Sequence, residues 1–142
     1  MSAVLFIAHP QLYRAGRESL QKMADHDAVS DALTVWPTMF NAVQLISNRE
    51  TPFHRDTAGQ ATWYDLLATV GDYQWATMVL RNLGIQVAYQ PGTVELVAAF
   101  LVHHGVAKVP PDRLCYAFFM TDAAHVNHDI APLPWMTVDY YT

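Results

Sequence analysis

Only one cysteine, Cys115, occurs in the 142 residues. No intramolecular disulfide can form, which excludes a cysteine-stapled secreted scaffold and fits a reducing compartment. Charge is also sparse, at 15% of residues against 52% apolar, and a disordered chain needs the reverse balance. Positive charge is the scarcer sign: 8 Lys and Arg face 13 Asp and Glu, a net of −5. A free-standing nucleic-acid binder usually carries the opposite sign, so strong nonspecific DNA affinity is not expected. Long hydrophobic runs are missing too. The apolar stretch from Ala3 to Ala8 has no basic segment before it, and nothing approaches the ~18 apolar residues of a membrane span. These absences predict a soluble nuclear or cytoplasmic chain with no membrane partner.

What is present predicts a single domain over 1–142, with a helix over about 10–24, a β core over about 36–121 and a tail from 122 to 142. After Pro10 the spacing of Leu12, Ala15, Leu20 and Met23 makes an apolar stripe on an amphipathic helix. A shorter helical turn is expected from Asp27 to Leu33. Beyond Trp36-Pro37 come short β-type runs: Phe40–Ser47, Tyr64–Val70, Trp75–Leu80, Ile85–Tyr89, Thr93–Leu101 and Leu114–Met120. Asn48/Pro52, Gly71-Asp72, Asn82/Gly84, Pro91-Gly92, Gly105 and Pro110-Pro111 punctuate them. The pattern predicts an α+β, mainly β fold, a barrel or sandwich preceded by a helix.

The segment His54-Arg55-Asp56 carries the most chemistry. In extended backbone, residues two apart point to the same side, so an imidazole and a carboxylate can reach one ion. On a helix the two would lie about 200° apart and could not chelate together. Fifty positions on, His103-His104-Gly105 follows an apolar run and can supply a third ligand. Adjacent strand residues face opposite ways, so only one of the two histidines can serve; geometry alone leaves the choice open. Two histidines and a carboxylate on one face of an octahedral iron(II) leave three positions for substrate and oxygen. Arg113 heads the next strand and can grip a carboxylate bidentately, which suits the distal end of 2-oxoglutarate. Charge supports this set: Fe²⁺ with one Asp is +1, a dianionic cosubstrate makes it −1, and Arg113 restores neutrality. Alternation places Arg113, Cys115, Ala117 and Phe119 on one face, lining the pocket, and Asn41 is a further candidate pocket contact.

Several ordered motifs then converge: Asn48-Arg-Glu-Thr-Pro-Phe-His-Arg-Asp56, Trp63-Tyr-Asp-Leu-Leu-Ala-Thr-Val-Gly-Asp-Tyr73, Tyr89-Gln-Pro-Gly-Thr93, His104-Gly-Val106 and Asp112-Arg-Leu-Cys-Tyr-Ala-Phe-Phe-Met120. From about His9-Pro10 to Trp135 the chain resembles the TET/JBP-type iron(II)/2-oxoglutarate dioxygenases, particularly the compact fungal branch linked to transposons. The resemblance implies a double-stranded β-helix (jelly-roll, cupin-like) core. It also implies oxidation of 5-methylcytosine in DNA to 5-hydroxymethylcytosine and further products, with Fe(II), 2-oxoglutarate and O2. It assigns the ligands to His54, Asp56 and His104, because the distal histidine of the family precedes Gly-Val, and it gives Arg113 the 2-oxoglutarate role. The cysteine-rich module of the animal enzymes is absent.

Methylated DNA is therefore the expected substrate, with N6-methyladenine as a variant. An oxygenase of similar fold acting on a protein or small molecule is the first rival, favoured by the acidic balance. A catalytically degenerate binding module is the second. His125-x-x-His128-Asp129 reads as a loop rather than a second metal site. Trp36, Trp63, Trp75 and Trp135 read mostly as core or rim, although such rings can stack on a flipped base.

Overall fold

Pro10 starts the best-defined helix of the chain, and a buried histidine caps it. The Nδ1 of His9 accepts the backbone N–H of Leu12 at 3.1 Å, satisfying one of the donors that a helix start leaves free. The computed structural model describes residues 2–109 and 112–141, so the expected turn at Pro110-Pro111 lies outside the described residues. Helices α1 (Ser2–Ala8), α2 (Pro10–Met23) and α3 (Asp27–Thr34) come first. Strands β1 (Ala42–Ser47), β2 (Thr51–His54), β3 (Asp65–Gly71), β4 (Thr77–Leu80), β5 (Ile85–Ala88), β6 (Val94–Val97), β7 (His104–Val106) and β8 (Arg113–Phe119) follow, and α4 (Asp122–Asn127) closes the series. No helix among the described residues is long and apolar enough to cross a membrane.

The strands form two antiparallel sheets, ordered β1-β8-β3-β6 and β2-β7-β4-β5. The first sheet is covered on both faces. Towards the helices, Leu66 and Phe118 meet Leu5 and Leu12 in one buried cluster. Each such side chain contributes roughly 1.5–3 kcal/mol by leaving water. Towards the second sheet, Ile46, Leu67, Cys115 and Ala117 meet Met78, Leu80 and Val106 in another. Gly16 lets α2 come this close, since a Cβ there would overlap the carbonyl oxygen of Met39 and the end of the Met120 side chain.

The expectation of a mainly β, double-stranded β-helix core needs correction. Helices and strands hold nearly equal shares of the chain, and the sheets are two open four-stranded ones that do not close on each other. The reason lies at the edges. The run Thr93–Leu101, expected as one strand, pairs only as far as Val97 and then turns, with the amides of Leu101 and Val102 both donating to Ala98 O. The edge strands β2, β5 and β6 have four residues each, and no edge strand pairs with a strand of the other sheet. The helical layer, in turn, seals the outer face that a closed barrel would leave to solvent. Two helices escape the sequence pattern: α1, which buries only Leu5, and α4, which occupies the stretch expected as a loop around His125.

One irregularity sets up the site. Thr51 pairs with Val106 and His54 with His104, so three steps along β2 match two along β7. This is a bulge at Pro52-Phe53, where the missing N–H of proline costs no ladder bond. Thr51 and His54, an odd number of residues apart, consequently both line the cavity between the sheets. The bulge also brings β2 close to β7: a Cβ on Gly105 would stand 2.9 Å from Thr51 O and 3.0 Å from Phe53 Cδ1. Gly105→Ala should therefore lower stability by about 1–3 kcal/mol, the usual cost of overpacking. Urea unfolding measures it, and an unchanged midpoint would contradict this packing.

Candidate metal and cosubstrate site

His54 and His104 sit directly opposite each other across the β2–β7 ladder, with ring centroids 4.4 Å apart. Each ring is oriented by a carbonyl two residues earlier: Nδ1 of His54 lies 2.8 Å from Pro52 O, and Nδ1 of His104 lies 2.9 Å from Val102 O. With Nδ1–H donated in both rings, each Nε2 presents a lone pair, an arrangement typical of histidines that bind metals. Both point at one carboxylate. Nε2 of His54 is 3.1 Å from Asp56 Oδ1, and Nε2 of His104 is 3.8 Å from Asp56 Oδ2.

Asp56 lies just past the end of β2, and its own amide donates to Ala99 O at 3.0 Å, which fixes the backbone that carries the carboxylate. The three ligand atoms lie within 4.8 Å of one another, and this is the one such cluster among the described residues. Two lone pairs aimed at a carboxylate repel it unless a cation stands between them. Burial pushes the pKa of His104 down, so a proton on that ring is disfavoured and a metal ion fits better. The donor set suits Fe(II), since imidazole and carboxylate are ligands of the facial-triad type. His103 points the other way, against the ring of Phe53, and its amide donates to Asn82 Oδ1.

Arg113 lines the same cavity as the triad. The register explains this: β8 sets Arg113, Cys115 and Ala117 on the face turned to the second sheet. Its start is held by Asn48, in the left-handed region at φ 50, whose Oδ1 accepts the amides of Asp112 and Arg113 at 2.7 Å each. Arg113 is only 2% exposed, and its guanidinium lies over the ring of Tyr89 at 5.4 Å. Nη1 reaches Arg49 O at 3.4 Å, and Nε has no partner. No carboxylate pairs with it among the described residues. A buried, partly unsatisfied cation of this kind is costly unless an anion joins it, so the cavity favours an anionic guest at Arg113. The lining also includes the apolar side chains of Ile46, Leu67, Met78 and Val106 and the Cys115 thiol, which burial keeps protonated.

The other expected site residues are placed differently. Asn41 does not line this cavity; its Oδ1 accepts the amide of Thr121 at 2.9 Å. Phe119 lines a second cavity, of about 250 Å³, which meets the first at Gln44, Asp56 and Ala117. Asp65, which the motifs above do not mark as a site residue, lines that second cavity; its sequence signal is an acid inside the apolar run Tyr64–Val70. It is 9% exposed, and burial, with a lesser push from Asp56, raises its pKa to about 7. Trp63 is buried, Trp75 and Trp135 are exposed, and no tryptophan lines either cavity. His125 is buried against Trp63, with ring centroids 4.4 Å apart.

Two outcomes follow for the metal-free and metal-loaded protein. His104→Ala should weaken anaerobic Fe(II) binding by more than the roughly 10–100-fold that an outer partner contributes, whereas His103→Ala should leave it within a few-fold. A calorimetric titration that ranks the two variants the other way would contradict the triad. For Asp65, the fold retains a proton between its unfolded value of 3.8 and about 7 that the unfolded chain has released. Metal-free stability should therefore lose a contribution as pH rises through that window, and Asp65→Asn should flatten the slope. Parallel slopes for wild type and variant in urea melts would show that Asp65 titrates normally.

No curated protein matches the chain in sequence. The model of the Tet_JBP family, described as the oxygenase domain of the 2OGFeDO superfamily, matches residues 1–122, which span every element from α1 to β8 and all three triad residues. The chain belongs to the Tet_JBP family and is a 2-oxoglutarate-dependent non-haem iron dioxygenase.

Proposed function

We propose that this protein oxidises the methyl group of a methylated base in DNA, 5-methylcytosine first and N6-methyladenine as a variant, and that it stands with the compact fungal, transposon-associated branch of its family. The observation that carries the cosubstrate half of this reading is the buried Arg113, unpaired at Nε, lining the same cavity as the triad. Family membership supports the nucleobase half.

In this reading His54, Asp56 and His104 hold Fe(II), and Arg113 binds the distal carboxylate of 2-oxoglutarate. Tyr89 keeps the guanidinium in place through its ring face. Bound iron, with 2-oxoglutarate and O2, supplies oxidation of a methyl C–H bond: the substrate gains one oxygen atom, and the cosubstrate leaves as succinate and CO2. The apolar lining residues Ile46, Leu67, Met78 and Val106 would keep water from the site once iron and cosubstrate are bound. A flipped base enters the second cavity, where its methyl group meets the open side of Asp56 and where Asp65 and Gln44 offer hydrogen-bonding groups to its edge. Such an enzyme works where the DNA is, in the nucleus.

The net charge of −5 favours a second reading, in which the same chemistry acts on a protein or small molecule. Nucleoside mass spectrometry separates the two. Duplexes carrying 5-methylcytosine or N6-methyladenine should yield hydroxymethylated product with matching succinate, and unmodified duplexes none. Succinate formation that methylated DNA does not stimulate would count against the DNA reading.

Arg113→Met should raise the KM for 2-oxoglutarate at least roughly 30-fold, the equivalent of about 2 kcal/mol for a desolvated charge pair. The cosubstrate-free fold should be no less stable, because the variant removes a buried cation that lacks a counterion. A variant with an unchanged KM, or one that is markedly less stable, would contradict the assignment.

A further inference from the structure

The second cavity has one wall without secondary structure. Residues 57–60, between β2 and β3, contribute Thr57, Ala58 and Gly59 to it. This wall buries little of itself: Thr57 and Ala58 are exposed, and Gly59 and Gln60 are only half-buried. Packing therefore does little to fix its position, although it follows directly on Asp56.

What holds it comes from the far end of the chain. The amide of Asp122 donates to Ala58 O at 2.8 Å, and Nε2 of Gln60 donates to Asp122 Oδ1. Gly59 fits under the same stretch, since a Cβ there would stand 3.2 Å from Met120 O. The Met120–Asp122 stretch is itself tied down on its other side, where Thr121 N donates to Asn41 Oδ1. Behind it, His125 of α4 packs on Trp63, and Lys22 of α2 donates to His128 O at 2.7 Å. The amide of Trp63 donates in turn to Gln60 O at 3.0 Å, so the wall is gripped at both ends.

We propose that Asp122 is a positioning residue: paired with Gln60, it clasps the 57–60 wall and thereby sets the shape of the second cavity. The clasp links α4 to the substrate side of the site while leaving the iron and 2-oxoglutarate positions alone. Its effect on substrate rests on the reading above, that this cavity takes the methylated base; its effect on the wall does not.

The test compares Asp122→Ala, Gln60→Ala, the double variant and Asp122→Asn, which keeps the Oδ1 acceptor. Amide exchange of Trp63, followed by NMR, reports the wall directly. Its protection should fall about tenfold in either alanine variant, fall no further in the double, and return in Asp122→Asn. The KM for methylated DNA should rise about as much, and the KM for 2-oxoglutarate and the Fe(II) affinity should stay within twofold. Unchanged Trp63 protection in Asp122→Ala would overturn the clasp whatever the substrate is. Loosened exchange with an unchanged KM for methylated DNA would overturn its role in the reaction. If the wild type oxidises no methylated base, the substrate reading fails, and the exchange data still decide the clasp.

Discussion

The pairing of His54 with His104 across a bulged ladder is the constraint on which the rest of the site depends. A regular β2 would send Thr51 and His54 to opposite faces of the second sheet. The extra residue at Pro52-Phe53 returns both to the cavity, and Gly105 makes room for it by lacking a side chain. From that register follow the ring separation, the shared carbonyl orientation of both imidazoles and the position from which Asp56 meets them. Movement of β2 by one residue relative to β7 would dissolve the triad.

Two unmet demands share one cavity lining. The lone pairs and carboxylate of the triad call for a cation, and the buried guanidinium of Arg113 calls for an anion. Each is unfavourable while its demand is unmet, and a metal with a dicarboxylate cosubstrate answers both at once. The sheets are the rigid parts. β8 carries Arg113 and Cys115 and pairs with two neighbours, so Arg113 rests on the most heavily bonded strand of the first sheet. The second cavity is built differently: part of its wall is the loop after Asp56, whose residues are exposed or half-buried.

Much of the centre was legible in the sequence because its signals are local. His-x-Asp in non-helical surroundings and an arginine heading an apolar strand need no knowledge of the fold, and α2 is marked by Pro10 and its stripe. The choice between His103 and His104 came from the Gly-Val that follows, and the register supplies its physical basis: His104 faces His54, while His103 faces Phe53. What could not be read depends on distant contacts. Whether strands close into a β-helix or stay as two open sheets is decided at their edges, and the turn after Val97 carries no strong breaker. α1 hid because Val4, Phe6 and Ile7 remain exposed, leaving no stripe. Asn41 reads as a pocket residue because the donor its Oδ1 accepts from, the Thr121 amide, is 80 positions away.

The central claim is that the triad and Arg113 together bind Fe(II) and 2-oxoglutarate as one chelated unit. Anaerobic addition of Fe²⁺ and then 2-oxoglutarate, followed by visible absorption, tests it most directly. The wild type should show a weak charge-transfer band that saturates at one equivalent of each and is absent from Asp56→Ala. A wild-type protein that shows no band, with no thermal stabilisation by the pair, would contradict it.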